Sequence, residues 1–282
     1  LHVLYPEAPI YTSYCSDEWR KKLGNKVVTG YLQKWPFNKL RRFTSVLQIW
    51  WFKSLNLSKY DVIISSSGSG HAKQVKKRRA EQIHINYCHT PPHYLWAKYD
   101  EYMKRPGFGA FDPLVRIGLK VLFKPLRKSD FQAAQHVDYF IANSTHIKND
   151  IKKYYKKDSD VVFPPVDTEA FHAKPEEKRS GFIVYGRHVA HKRFDLAIKA
   201  CNELQAPLTV VGSGPETPRL KAMAGPTISF PGRLEHDKLV KTLAKAEFFI
   251  FPNVEDFGIV AAEAQAAGVP VLAYRAGGAL DI

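Results

Sequence analysis

Residues Phe248 to Pro270 read FFIFPNVEDFGIVAAEAQAAGVP, and the change of period inside this stretch decides the kind of fold. Phe248-Phe249-Ile250-Phe251 has the length and aromatic content of a buried strand, and Pro252 stops it. A polar turn carrying Glu255 and Asp256 follows. From Gly258 onward, Ile259, Val260, Ala262, Ala266 and Ala267 recur at helical spacing, and Gly268-Val269-Pro270 closes the helix with a C-cap glycine and a breaker. The segment predicts strand, loop and helix. Glu255 stands before the helix and Glu263 about two turns into it.

Working outward, the same alternation recurs. Residues 182–185, 208–211, 227–230, 247–251 and 269–273 read as strands, and helical spacing fills the intervals near 194–204, 219–224 and 238–244. Repeated strand–helix units predict a parallel sheet covered on both faces, an α/β fold. Upstream, 61–66, 83–87 and 137–142 read as further strands. Helical spacing covers 111–135, and Asn143-Ser144-Thr145 is an N-cap signal for a helix running to Tyr155. Residues 1–4 read as the end of a helix and 8–11 as a strand. The stretch 164–180 is rich in Pro and charge and reads as a linker. The expected division is 1–163, a linker over 164–180, and 181–282.

The strand–loop–helix unit also suggests chemistry. The first turn of a helix has unpaired N–H groups and partial positive charge, so Phe257, Gly258 and Ile259 can offer donors to a phosphate or diphosphate. Carboxylates on either side, Glu255 and Glu263, can each grip neighbouring hydroxyls, a layout that matches a nucleotide sugar. The alternative is a solvated loop acid and a helix-surface acid. Arg187 follows the strand 182–185 and Lys192 lies five residues on, so both are expected at the same end of the sheet as Gly258. There they can neutralise charge on a departing phosphate, or be solvated loop cations. Gly186, Gly212-Ser213-Gly214 and Gly232-Arg233 are strand-to-helix turns of the same domain.

In the first half, the strand 83–87 delivers Cys88-His89 to its C-terminal end, where ligands of open α/β sheets bind. His89 is the candidate catalytic residue there. Gly68-Ser69-Gly70 follows another strand but lacks a complete phosphate-binding fingerprint. No metal site is expected: Pro91-Pro92 preclude a helix that would bring His89 and His93 together. Asp158-Ser159-Asp160 precedes a strand, whereas an Asp-x-Asp metal motif normally ends one.

Taken together these motifs resemble the family 4 retaining glycosyltransferases of the GT-B fold, two Rossmann-like domains facing a cleft. EDFGIVAAE is similar to the family's Glu-x7-Glu motif, and Gly186-Arg187, Lys192-Arg193-Phe194-Asp195, Val211-Gly212-Ser213-Gly214-Pro215, Pro231-Gly232-Arg233 and Gly277-Gly278 agree with it. The likeness is nearly continuous from Phe182 to Gly278. It is looser through Tyr87-Cys88-His89-Thr90-Pro91-Pro92, which is similar to bacterial mannosyltransferases of surface polysaccharide synthesis. The resemblance implies a nucleotide-sugar donor, GDP-mannose first and UDP-sugars as runner-up, and no cofactor or metal. It implies donor contacts at Gly186, Gly212, Gly214, Gly232, Arg233, Glu255, Phe257, Gly258, Ile259 and Glu263. Catalytic roles go to His89, Arg187, Lys192 and Glu255, with front-face retaining transfer to a saccharide or lipid-linked saccharide acceptor. It also implies that the first strand with its glycine-rich loop, and elements beyond Ile282, lie outside this chain. A nucleotide-sugar epimerase or hydrolase on the same fold is the second reading, and a non-catalytic anion- or nucleic-acid-binding protein the third.

Composition bounds these readings. At 282 residues and 45% hydrophobic content the chain is long enough for two ordinary domains with real cores. No apolar run approaches the roughly 20 residues of a membrane span, and LHVLYPEAPI lacks the charged and apolar regions of a signal peptide. Cys15, Cys88 and Cys201 are odd in number and far apart, which fits a reducing cytoplasm better than a disulfide framework. Of the net charge of +15, an excess of 13 lies before Arg179, where 30 Lys/Arg face 17 Asp/Glu; beyond it 12 face 10. Such a half suits acidic lipid head groups or a lipid diphosphate, or serves solubility alone. The segment 34–57 mixes Trp35, Phe37, Phe43, Trp50, Trp51 and Phe52 with Lys39, Arg41, Arg42 and Lys53. It either lies in a membrane interface or packs as a helix on its own domain. No RNA-binding aromatic signature accompanies the charge, so no nucleic-acid partner is expected. The expected location is cytoplasmic, peripheral on the inner face of the plasma membrane.

Overall fold

Strands buried on both faces need helices on both sides, and the second half of the chain supplies them in alternation. The computed structural model describes residues 3–40, 44–68, 70–104, 106, 109–172 and 178–282. It divides into two compact units, Leu1–Asn143 with Ile147–Val161, and Ser144–His146 with Val162–Ile282.

In the first unit the strands are β1 (Ile10–Tyr11), β2 (Val27–Val28), β3 (Val62–Ser67), β4 (Ile83–Cys88), β5 (Tyr139–Ala142) and β6 (Ser159–Val161). β1 pairs with β2, and β3-β4-β5-β6 form a four-stranded sheet, every pair parallel. The helices are α1 (Asp17–Leu23), α2 (Ser45–Ser54), α3 (Tyr99–Lys104), α4 (Asp112–Gln135) and α5 (Thr145–Tyr155). Ile147, Ile151 and Tyr155, at i, i+4 and i+8 of α5, are fully buried against Phe140, Ala142 and Ala134. A buried polar cluster ties the loops after β3 and β4 to these helices. The Lys73 ammonium donates to Asp130 of α4, whose other oxygen accepts from Trp96 Nε1 and the Tyr155 hydroxyl, each at 2.8 Å.

The second unit continues with α6 (Thr168–Phe171), β7 (Phe182–Tyr185), α7 (Phe194–Leu204), β8 (Leu208–Val211), α8 (Thr217–Ala222), β9 (Ile228–Gly232), α9 (His236–Ala244), β10 (Phe248–Phe251), α10 (Ile259–Ala266) and β11 (Val271–Ala273). Its sheet runs β11-β10-β7-β8-β9, all parallel. Alternate residues of β7 serve opposite faces: Ile183 and Tyr185 join Leu243, Phe249 and Ala264, while Val184 joins Phe194, Ile198 and Leu220. The order reverses at β7, with its successor on one side and β10 on the other. The crevice at the carboxyl ends of these strands is where such sheets bind ligands.

Several expectations shift. Residues 34–57 form a helix only over Ser45–Ser54, and its Ile49, Trp51 and Phe52 are buried with Leu32, Ile63 and Val75. Packing on its own unit therefore accounts for that stretch, although Trp35 and Trp50 stay exposed and Arg41, Arg42 and Phe43 lie outside the described residues. Ser69, Leu1, His2 and part of the expected linker, 173–177, also lie outside them. Val3 and Leu4 sit in a turn rather than a helix, and Gly277–Leu280 is a 3-10 turn. The ladder of β6 with β5 ends at Val161.

Candidate functional site

Four turns at the carboxyl ends of the second sheet build the site. A cavity of about 640 Å³ is lined there by Gly186 and Arg187 after β7, Gly212, Ser213, Gly214 and Pro215 after β8, and Arg233 and Leu234 after β9. Tyr185, Val211 and Leu239 complete its wall. Arg187 and Arg233 are both exposed, so the cavity is bordered by two guanidiniums and by backbone that side chains leave bare. Gly212 has φ +122°, and a Cβ there would overlap the Gly186 carbonyl oxygen; one on Gly214 would overlap the His188 backbone. Those glycines are thus required by close approach of two turns.

His188 is what holds the turns together, and the sequence reading passed over it. The residue is 1% exposed. Its backbone N–H donates to the Ser213 carbonyl at 3.0 Å, and its carbonyl accepts from Glu216 N–H at 3.1 Å. Thr217 Oγ1 accepts from Gly214 N–H at 2.9 Å and stands 2.9 Å from His188 Nδ1, to which its own hydrogen is therefore free to donate. Burial pushes the His188 imidazole below its ordinary pKa, which keeps the ring neutral and able to accept that hydrogen. Its position next to Arg187 was the available signal.

Beside the cavity, the turn after β10 carries Glu255. Its Oε1 accepts from Asn253 Nδ2 at 2.9 Å and from the Lys192 ammonium, while the Glu255 carbonyl accepts from Gly278 N–H at 2.8 Å. Lys192 and Glu255, expected to meet different parts of a ligand, are here partners, each about one-fifth exposed. Among the described residues both donors hold the same oxygen, Oε1. Asn253, 3% exposed and two residues before Glu255, is a second residue the sequence reading missed.

Glu263 lies on the first turns of α10, half-buried, and accepts from the Tyr185 hydroxyl, which is also 3.1 Å from the Val260 carbonyl. Burial raises the Glu263 carboxyl above the usual range, against the Tyr185 hydrogen bond and the charge of His236, which lower it. Tyr185 itself is raised, first by burial and then by that carboxylate. Since Tyr185 lines the cavity, Glu263 is coupled to it through one side chain. Gly258 is the left-handed N-cap of α10, and the N–H groups of Phe257, Gly258 and Ile259 donate to no backbone carbonyl among the described residues. Phe257 is buried, stacked on Phe163 with ring centroids 5.5 Å apart. Gly232 is the last residue of β9, and its carbonyl accepts from Gly212 N–H at 2.8 Å.

His89 belongs to the first unit, immediately after β4. Its Nε2 is 2.8 Å from Ser66 Oγ and its ring meets Tyr87 edge-on at 5.2 Å. Among the described residues no cluster of three or more His, Cys, Asp or Glu is placed to hold a metal ion. Asp158 is paired with Lys152 at 2.6 Å and Asp160 lies within β6. No described helix is long and apolar enough to cross a membrane.

Residues 166–282 match the family model described as glycosyl transferases group 1. Over 109 residues, 33% of the chain, the sequence is 39% identical to a GDP-mannose-dependent monoacylated alpha-(1-6)-phosphatidylinositol monomannoside mannosyltransferase of Corynebacterium glutamicum, matching 29% of that protein. The chain spans less than half the length of the curated relatives it matches. Among solved structures, sucrose-phosphate synthase of Thermosynechococcus elongatus superposes with a TM-score of 0.61 at 18% identity, covering 89% of this chain and 66% of that one. Anabaena Alr3699/HepE in complex with UDP does so with a TM-score of 0.60 at 15% identity, covering 94% and 71%. At such identities the likeness shows the fold, which is GT-B, the class expected from the sequence. The stretch that matches the glycosyl transferases group 1 model, residues 166–282, is the one that carries the glycine-lined cavity and the Glu255–Glu263 helix.

Proposed function

We propose that the chain is a retaining glycosyltransferase that moves mannose from GDP-mannose to a saccharide or lipid-linked saccharide, without a metal. The observation that carries this reading is the convergence of Gly186, Arg187, Gly212, Gly214 and Arg233 on one cavity whose wall includes Tyr185, the partner of Glu263. In this reading the diphosphate sits against the glycine turns and the start of α10. Arg187, Arg233 and Lys192 take up the charge that builds on the departing phosphate, the work a metal does elsewhere. Glu255 accepts from hexose hydroxyls, and Glu263 from ribose hydroxyls. A guanidinium can grip the diphosphate bidentately, whereas Lys192 must share its charge between ligand and Glu255. His89 is assigned a hexose hydroxyl and support of the oxocarbenium-like transition state by the resemblance alone. Mannose is preferred on the strength of the HTPP segment and of the GDP-mannose for which the corynebacterial relative is named. The acceptor is placed at the inner face of a membrane, with no nucleic-acid partner.

Calorimetry with GDP, UDP, GDP-mannose and UDP-glucose, each with and without EDTA, tests the proposal. GDP-mannose binding that EDTA leaves unchanged is the expected result. Preference for UDP-glucose refutes the mannosyl assignment, an EDTA-sensitive affinity refutes metal independence, and binding of none of the four refutes the donor site.

A further inference from the structure

β7 ends on a tyrosine where packing asks only for an apolar side chain. Tyr185 is 7% exposed, and its ring lies against Phe249 with centroids 5.2 Å apart, in one cluster with Ile183, Val211 and Ala264. Phenylalanine fills the same space, and the cluster already contains Phe249 and Phe251. A buried hydroxyl adds nothing to apolar packing and costs free energy unless it is paired. The Tyr185 hydroxyl therefore needs an account of its own.

Its geometry supplies one. The hydroxyl reaches across to α10, donating to Glu263 Oε2 and standing 3.1 Å from the Val260 carbonyl. A phenol has one hydrogen to give. Of the two acceptors the carboxylate is the stronger, while the carbonyl belongs to the ladder of a helix. The hydrogen goes to Glu263. Tyr185, Gly186 and Arg187 are consecutive, and all three line the cavity. One strand end thus presents the turn assigned to the diphosphate and fixes the carboxylate assigned to ribose. A free glutamate side chain is rotamer-rich, and a ligand that must order it binds less tightly. A buried donor that orders it beforehand removes that loss. Among the described residues, the titratable groups acting on Glu263 are Tyr185 from β7 and His236 from the start of α9. Both lower its carboxyl against the burial that raises it, so the Tyr185 hydrogen bond also favours the charged form.

We propose that Tyr185 is a positioning residue for the nucleotide: its hydroxyl sets the Glu263 carboxylate in the orientation that accepts from ribose hydroxyls, and so makes the site select ribonucleoside over deoxyribonucleoside diphosphates. The inference rests on the assignment of Glu263 to ribose in the proposed function.

Calorimetric titration with GDP and with 2′-deoxy-GDP tests it, between about pH 5 and pH 8, on the unaltered chain, Tyr185→Phe and Glu263→Gln. The ratio of the two affinities is the readout, because ionisation of the diphosphate and of groups away from the ribose cancels in it. At neutral pH, Tyr185→Phe is expected to weaken GDP about fivefold and 2′-deoxy-GDP by less than about twofold. Discrimination should fall in acid as Glu263 takes up a proton. Because the lost hydrogen bond lowered that carboxyl, the fall should set in at higher pH in Tyr185→Phe. Equal loss of both ligands, complete loss included, makes Tyr185 a wall of the cavity and overturns the proposal, as does an unchanged ratio or an acid limb that does not move. Discrimination lost in Glu263→Gln but kept in Tyr185→Phe refutes this proposal alone. Discrimination kept in Glu263→Gln refutes the ribose assignment beneath it as well.

Discussion

Asp130→Asn tests the polar cluster that sets the first unit's loops. Lys73 and Asp130 have side chains only 2% and 3% exposed. Asp130 accepts from three donors, the Lys73 ammonium, Trp96 Nε1 and the Tyr155 hydroxyl. Asparagine keeps the shape but removes the charge, and leaves Lys73 with the Gly70 carbonyl at 3.2 Å and the Tyr155 ring at 5.1 Å. An uncompensated buried charge costs about 3–5 kcal/mol. For a unit of this size that lowers the melting temperature by roughly 10 °C. Lys73→Met should cost less, since the carboxylate it strands keeps two donors. The double variant should recover about 2 kcal/mol relative to the sum of the singles, because no charge is then left buried alone. Thermal and urea unfolding of the four proteins is the assay. A loss below about 1 kcal/mol for Asp130→Asn, or strict additivity in the double variant, would refute the argument that this pair is desolvated and coupled.

Asn253→Ala should leave GDP affinity unchanged and weaken GDP-mannose about tenfold, the worth of one hydrogen bond to a charged group; calorimetry showing equal loss for both ligands contradicts a role confined to Glu255. Glu263→Gln should bring the affinities for GDP and 2′-deoxy-GDP to within about twofold of each other, since the carboxylate assigned to ribose is gone; unchanged discrimination removes that assignment. Gly212→Ala should abolish nucleotide binding and cost about 2 kcal/mol or more, measured by urea unfolding, because the Cβ collides with backbone rather than with a movable side chain. Stability should also fall in mild acid. Burial lowers His71 and His84 to about 4 from near 6.5. Groups with depressed folded pKa values contribute stability that is present above pH 6.5 and lost as pH falls towards 4, because the unfolded chain takes up the proton first. At pH 5 the loss is about 2 kcal/mol per histidine, and urea unfolding that is flat from pH 7 to pH 5 contradicts it.

Much of the second unit could be read directly from its residues. Phe182–Tyr185 and Leu208–Val211 are observed as expected, and the helix after Gly258 begins one residue later, at Ile259. The first unit was less legible. Over 34–57 aromatic content outweighed periodicity, and only the packing of Trp51 and Phe52 around Leu32 and Ile63 shows which side of α2 is inside. Apolar residues on α4 look alike in sequence; exposure alone separates Ala133 and Ala134, which are buried, from Ile117 and Val121, which are not.

By itself the sequence determined the element types, the parallel sheets and the order of the glycine, arginine and glutamate turns, because period, breakers and caps act within a few residues of one another. Tertiary structure alone decided that Lys192 and Asn253 share one oxygen of Glu255, that Tyr185 reaches Glu263, and that His188 locks the glycine turns. These are pairings across 63 and 78 residues for Lys192–Glu255 and Tyr185–Glu263. The physical reason is that a polar side chain's partner is chosen by which groups folding strips of water together, and local spacing holds no record of that choice.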